Sequence, residues 1–273
     1  MSDAPVHIHL LSDSTGETLE NVAKAALAHF EDAHVLRHFW PMVRSASHLD
    51  RVMTEVTRKP GLVLYTIVNP ENRQHLEQRC RELGLTAIAA LDPILASLSK
   101  FLGQAPKGRP GSQHNLDDAY FTRVDAIQFT IAHDDGVGAE NWEQADIVLV
   151  GVSRTSKTPT SIYLANRGLK TANVPLVAEA PLPQELFQLT NPLIVGLVTS
   201  PDRLAQIRRN RLLSLNQTPD TDYVDHDAIA RELAQARRLF ADQNWPVIDM
   251  TRRSIEEAAA GIITLYNERH EIA

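Results

Sequence analysis

Two rhythms of hydrophobic and polar positions alternate along this chain. Short apolar runs of strand length are followed by stretches whose apolar residues recur every three or four positions, the spacing of one helix face. Residues 7–11 (HIHLL) predict a first strand. Behind it, Leu19, Val22, Ala23, Ala26, Leu27 and Phe30 form one apolar helical face. The turn between them, residues 12–18, is rich in small and hydroxyl side chains, and Ser14 and Glu17 have the spacing of a capping box that predicts a helix start there. Further helices are predicted over residues 47–59, 71–83, 92–102 and 229–240, with another beginning at Pro201 and Asp202. Further strands are predicted over 62–68, 147–152, 174–178, 193–200 and 247–250, and the run 127–131 (IQFTI) also reads as a strand. Near the end, Ser254 and Glu257 form a second capping-box pair ahead of Ile255, Ala258, Ala259, Ile262, Ile263 and Tyr266 on one face. Strands alternating with helices predict an α/β fold with largely parallel sheets.

The best break in this rhythm is residues 103–115 (GQAPKGRPGSQHN), rich in Gly, Pro and polar side chains. It predicts an N-terminal α/β domain over 1–102, a linker and connecting strand segment over 103–143, and a second domain over 144–273. Lys107, Arg109 and His114 sit in the break, which reads either as a solvated linker or as a loop that folds over a site.

Composition narrows the classes. With 273 residues, core size is no limitation. The 34 acidic against 27 basic side chains (net −7) argue against a dedicated nucleic-acid binder. Cys80 is the only cysteine, which leaves out disulfides and cysteine-based zinc sites. It falls in a predicted helix with no base beside it. The opening MSDAPVHIHLLSDS lacks a basic segment followed by a long apolar one, and no apolar run approaches the ~20 residues of a membrane span. The expectation is a soluble, globular protein of the cytoplasm that contacts neither nucleic acid nor membrane.

Candidate chemistry centres on residues 145–169, ADIVLVGVSRTSKTPTSIYLANRGL. The apolar run 147–152 leads into Gly151, Val152, Ser153, Arg154, Thr155, Ser156, Lys157 and Thr158, which match G-x-x-x-x-G-K-[ST] except that Ser156 stands at the second glycine. Ile162, Leu164 and Ala165 then follow at helical spacing. Strand, loop, Lys-Thr and helix form the context in which such a loop cradles phosphates on its N–H groups at a helix start. Lys157 would neutralise the β-phosphate region and Thr158 would hold Mg²⁺. Asp134 and Asp135, adjacent carboxylates behind the 127–131 run, suit Mg²⁺ or general-base work, with an ordinary acidic turn as the plain alternative. The turn with Asp13, Ser14, Thr15 and Gly16 could take an anion, or merely cap its helix. Arg203, Arg208, Arg209 and Arg211 could clamp transferring phosphates, or lie solvated on a surface helix.

The segments PGSQHNLDDAYFTRVDAIQFTIAHDDG and ADIVLVGVSRTSKTPTSIYLANRG, with the opening HIHLLSDSTGETLENVAKAALAHF, closely resemble the bacterial regulatory proteins of pyruvate, phosphate dikinase and phosphoenolpyruvate synthase. The resemblance covers nearly the whole chain. It implies a P-loop kinase-like C-terminal domain with a parallel sheet, packed on an N-terminal α/β domain. It also implies a bifunctional enzyme that uses ADP to phosphorylate, and so inactivate, a target at a threonine close to its catalytic histidine. The reverse reaction uses inorganic phosphate and releases pyrophosphate. Family members depart from the standard loop as well, so Ser156 is a mild variation that adds a side chain beside the phosphates. Lys157 and one of Asp134 or Asp135 are then the catalytic candidates, and residues 151–158 hold the nucleotide. Asp13 to Gly16, Arg208 and Arg209 become candidates for a phosphate or partner site. HLLSDSTGETL is closer to dikinase-type members, which favours pyruvate, phosphate dikinase as partner, with phosphoenolpyruvate synthase as the alternative. From other classes, a small-molecule P-loop kinase and a non-catalytic nucleotide sensor remain in view. The oligomeric state stays open, a homodimer included.

Overall fold

The computed structural model describes residues 5–30, 34–106, 118–177, 181–215 and 222–270. Lys107, Arg109 and His114 lie outside them. The chain divides into two compact units, Met1–Asn115 and Leu116–Ala273.

In the first unit the elements follow in the order β1 (Val6–Ser12), α1 (Glu17–Leu27), β2 (Val35–Trp40), α2 (Ala46–Arg58), β3 (Gly61–Thr66), α3 (Pro70–Glu82), β4 (Ala87–Ala89) and α4 (Asp92–Leu102). The strands form one parallel sheet in the order β2-β1-β3-β4. Alternate side chains of β1 face opposite ways, as the pleat requires. Ile8 and Leu10 pack with Leu19 and Ala23 of α1, while Leu11 joins Leu49, Val52, Met53 and Val56 of α2 and Leu76 and Cys80 of α3. Cys80 is thus a core side chain, and burial pushes its thiol pKa up to about 11.

The capping box expected at Ser14 and Glu17 does not form. Helix α1 starts at Glu17 behind Gly16, whose φ of +80° no side-chain cap accompanies. A Cβ on Gly16 would lie 2.6 Å from the Phe39 ring, so both the backbone angle and the space demand glycine. The Ser14 N–H instead donates to Ser12 Oγ at 3.2 Å. Strands β2 and β4 had no counterpart in the sequence reading. The first lies at a sheet edge with mixed burial and the second has three residues, so neither carries a clear period.

The second unit begins with α5 (Asp118–Ala132) and a 3-10 turn (Ala139–Gln144). It continues through β5 (Ile147–Val152), α6 (Lys157–Ala165), β6 (Thr171–Leu176), β7 (Leu193–Val198), α7 (Pro201–Ser214), α8 (His226–Asp242), β8 (Val247–Asp249) and α9 (Ile255–Arg269). Its sheet is parallel throughout in the order β6-β5-β7-β8. Every residue of β5 and β7 is buried, which is why both read as unbroken apolar runs. Val148, Val150 and Val152 face Leu204 of α7 and Ile229, Leu233 and Phe240 of α8. Ile147 and Leu149 face Leu164 of α6 and Ala258, Ala259 and Ile262 of α9. Ser254 and Glu257 do form the reciprocal capping box of α9. Among the described residues no helix is long and apolar enough to cross a membrane.

Residues 127–131, expected as a strand, are part of α5, so the stretch from 118 onward is helix and second-unit structure rather than linker. The inward face is Ala126, Thr130 and His133, spaced four and three apart, whereas Ile131 is 67% exposed. The β-branched and aromatic content of IQFTI mimicked a strand, but the buried period is helical. Strand β6 also begins earlier than expected, at Thr171, because residues 171–173 pair with Ile147 to Leu149 of β5, and the Thr171 N–H also donates to Thr130 Oγ1 of α5 at 3.0 Å.

Both sheets place their first strand inside, with the second strand on one side and the third on the other. The strand order therefore reverses beside β1 in the first unit and beside β5 in the second. In open α/β sheets such reversal points, at the carboxyl ends of the strands, are where ligands bind.

Candidate active site

The loop Ser153 to Ser156 leaves β5 at that reversal point and enters α6. Gly151 is required by space, since a Cβ there would lie 2.6 Å from the Leu197 carbonyl oxygen and 2.8 Å from Thr155 Oγ1. Two non-glycine residues of the loop hold left-handed backbone, Arg154 at φ +73° and Ser156 at φ +65°. The second value explains why glycine suits that position, and Ser156 bears the strain an L side chain meets there. Thr155 Oγ1 donates to the Val152 carbonyl at 2.9 Å and tightens the turn. Behind Ser156, the first N–H groups of α6 have no partners within the helix and carry its positive end, a chemistry that suits an anion.

Lys157 is 6% exposed, and its Nζ donates to the carbonyls of Gly151 (2.9 Å) and Val152 (3.3 Å). Burial pushes its pKa down to about 8, against the opposing pull of Asp135 and Asp134. Its ammonium is therefore held above the loop at a cost in solvation that a bound phosphate would offset.

Asp134 and Asp135 follow the end of α5, not a strand, and reach the loop from the side. Thr158 Oγ1 donates to the Asp134 carboxylate at 3.1 and 3.3 Å. Asn173 of β6 organises the pair. Its Nδ2 donates to Asp134 Oδ1, its Oδ1 accepts from the Asp135 N–H at 3.1 Å, and its backbone bonds His133 and Gly136 on either side. Asp135 is exposed, at φ +54°. The Thr158 hydroxyl and Asp134 carboxylate are hard oxygen donors side by side, a set that fits Mg²⁺. Sequence reasoning missed Asn173, which lies just ahead of the run expected as a strand and whose partners are far away in sequence.

Arg208, expected as an anion ligand, is 2% exposed and already engaged. Its guanidinium grips Glu232 of α8 through both Nη atoms (3.2 and 2.7 Å) and donates to the carbonyls of Ser153 (3.3 Å) and Tyr223 (3.1 Å). The Tyr223 ring lies 4.5 Å from its Cζ, and the Tyr223 hydroxyl is 3.4 Å from Ser153 Oγ. Arg208 thus braces the loop's first residue from behind, whereas Arg209 is exposed. Tyr223 and Glu232 had no local signal, since each matters only through a residue far away in sequence.

Asp13, Ser14, Thr15 and Gly16 lie in the first unit, at its own reversal point. Asp13 is 2% exposed; its carboxylate accepts the Val68 N–H at 2.7 Å, and its carbonyl accepts Arg44 Nε at 2.8 Å. Ser12 Oγ accepts from Thr66 Oγ1 at 3.0 Å. Asp13 pins the turns after β1 and β3 together, which is a scaffold role.

Comparison with known proteins bears on this geometry. The family described as kinase/pyrophosphorylase matches residues 8–263. A relative from Novosphingobium aromaticivorans, provisionally named a pyruvate, phosphate dikinase regulatory protein, is 68% identical over 97% of this chain and 94% of its own. Relatives bearing the same provisional name from Rhizorhabdus wittichii (65% identical; 97% and 96% covered) and Maricaulis maris (55%; 99% and 96%) are also similar along their whole length.

Proposed function

The chain belongs to the kinase/pyrophosphorylase family, and from that premise we propose that it is a bifunctional regulator of pyruvate, phosphate dikinase. In one direction the β-phosphoryl group of ADP passes to a threonine hydroxyl of the dikinase, leaving AMP and releasing the hydroxyl proton. In the other, inorganic phosphate takes the phosphoryl group from phosphothreonine, restoring threonine and forming pyrophosphate. The observation that carries this reading is the side-by-side set of Lys157, Thr158 and Asp134 at the start of α6. The name shared by the relatives points to the dikinase as target.

Each residue has a part in this reading. The N–H groups of the loop and Lys157 hold the ADP phosphates and stabilise charge as it moves, the main source of catalysis in phosphoryl transfer. Asp134 fixes the Thr158 hydroxyl, and the two together would hold Mg²⁺, which when bound neutralises phosphate charge. Asp135, exposed beside the loop, orients the incoming threonine hydroxyl and accepts its proton.

The test incubates the protein with ADP, Mg²⁺ and dikinase carrying phosphohistidine, and reads phosphothreonine by intact mass and peptide mapping. A parallel reaction holds phosphoenolpyruvate synthase, and Lys157→Ala serves as control in both. We expect labelling of the dikinase, lowered at least ~100-fold by Lys157→Ala. Labelling of the synthase alone would overturn the choice of target. Transfer to neither, with ADP still bound, would leave a nucleotide sensor or a metabolite kinase.

A further inference from the structure

Buried polar groups in folded proteins are nearly always hydrogen-bonded, so a buried hydroxyl without a partner calls for a cause. Among the described residues three buried side-chain atoms lack one: Thr160 Oγ1, Thr199 Oγ1 and Arg208 Nε. All belong to the second unit, and all lie on elements that border the phosphate loop. Arg208 Nε belongs to a guanidinium whose other nitrogens are bonded. Thr160 Oγ1 lies within α6, past the helix start, whereas Thr199 follows the carboxyl end of β7, the end of an open α/β sheet where ligands bind.

Its place is specific. Strands β5 and β7 pair with Val150 opposite Gly196, so continuing the register sets Thr199 opposite Ser153, the first residue of the loop. Leu193, Val195 and Leu197 face α6 and α9, whereas Ile194 and Val198 face the other way. The next residue in that alternation, Thr199, falls on the side of α6. The end of β7 is also packed hard against the end of β5, just ahead of the loop, as the Leu197 carbonyl at Gly151 shows. Of the hydroxyls nearby, Thr155 donates to Val152, Thr158 to Asp134 and Ser161 to the Thr158 carbonyl. Thr199, like Thr160 within α6, keeps its proton unspent, and it is 2% exposed.

We propose that Thr199 is a ligand-contacting residue whose hydroxyl donates to an oxygen of the phosphate group seated in the 151–158 loop. This rests on the reading of that loop as a phosphate cradle. It adds a fourth kind of donor, from a neighbouring strand, to the loop amides, the helix start and Lys157. It also accounts for an orphan hydroxyl in a strand end where valine would fit the same space.

The experiment compares Thr199→Val, which keeps the shape and deletes the hydroxyl, with Thr199→Ser, which keeps the hydroxyl. Calorimetry measures binding of ADP and of pyrophosphate to the full chain, and thermal unfolding is recorded without ligand. Thr199→Val is expected to melt at or above the wild-type temperature yet bind both probes about tenfold more weakly or worse, the worth of a hydrogen bond to a charged group. Thr199→Ser should bind close to wild type. Wild-type affinity for both probes in Thr199→Val overturns the proposal, and so does a lower melting temperature with unchanged affinity. If the wild type binds pyrophosphate but not ADP, and Thr199→Val loses the former, the contact stands and the nucleotide reading falls. If ADP binding depends on Lys157 but not on Thr199, the nucleotide reading stands and the contact falls. A wild type that binds neither probe overturns both.

Discussion

Lys157 carries the largest electrostatic tension of the described site. An ammonium this deeply buried gives up its proton near pH 8, since desolvation outweighs the pull of Asp135 and Asp134. On the proposed reading, a phosphate held in the loop would bring negative charge beside the ammonium and raise that pKa again. Linkage then requires proton uptake on binding at pH values around and above 8. ADP affinity should therefore fall as pH rises from 7 to 9. Calorimetry at pH 8.5 in buffers of different ionisation enthalpy should report a proton taken up, and Lys157→Met should abolish both effects. Wild-type binding with no buffer dependence would contradict the assignment. Ser156 carries the other tension, a backbone angle that glycine adopts at no steric cost.

At the level of elements, the loop is held from two sides. Asn173 of β6 ties the 133–136 segment to Thr158 on one side, and the Arg208–Glu232 pair joins α7 and α8 behind Ser153 on the other. The pair is unequal, with Arg208 2% and Glu232 23% exposed at the side chain. Removing the carboxylate leaves a buried guanidinium without its counter-charge, a loss of up to 3–5 kcal/mol where both partners are buried. Because Glu232 keeps contact with water, Glu232→Gln should cost less, about 1–3 kcal/mol. Urea unfolding followed by circular dichroism measures this directly. Loosening Ser153 should also weaken ADP binding, while Glu232→Asp should retain part of both. A Glu232→Gln variant as stable as wild type would mean that the carbonyls of Ser153 and Tyr223 suffice for Arg208.

For the molecule as a whole, the first unit makes stability sensitive to pH near neutrality. His9 is fully buried, accepts the Trp40 indole N–H at Nδ1 (3.2 Å) and donates through Nε2 to the Lys59 carbonyl (2.8 Å). That arrangement needs the neutral ring. His38 stacks on His9 and shares a hydrogen bond with His7. Burial is the main cause that lowers the pKa of both His9 and His38, and neighbouring cationic groups add to it. With folded values below the unfolded value near 6.5, the unfolded chain binds more protons, so stability rises with pH through that window. It is fully present above about 6.5 and is lost as pH falls toward the folded values, before carboxylates titrate. Denaturant midpoints should therefore drop between pH 7.5 and 5.5, and His9→Gln should flatten the drop. An unchanged slope in that variant would place the cause elsewhere.

The sequence by itself determined the α/β alternation, most element boundaries, the capping box of α9, and the loop from Gly151 to Thr158. These are local features: a period of two or of 3.6, a hydroxyl three residues before a glutamate, a glycine and a lysine in fixed spacing. Only the tertiary structure decided the rest. It made 127–131 a helix, because Ala126 and Thr130 find burial against the second sheet while Ile131 does not. It joined Asp134 to Thr158 through Asn173, and it turned Arg208 from a free cation into a brace by burying it against Glu232. It placed Asp13 under Val68 as a structural pin. In each case the partner lies far along the chain, and composition and spacing carry no signal of which distant groups will meet.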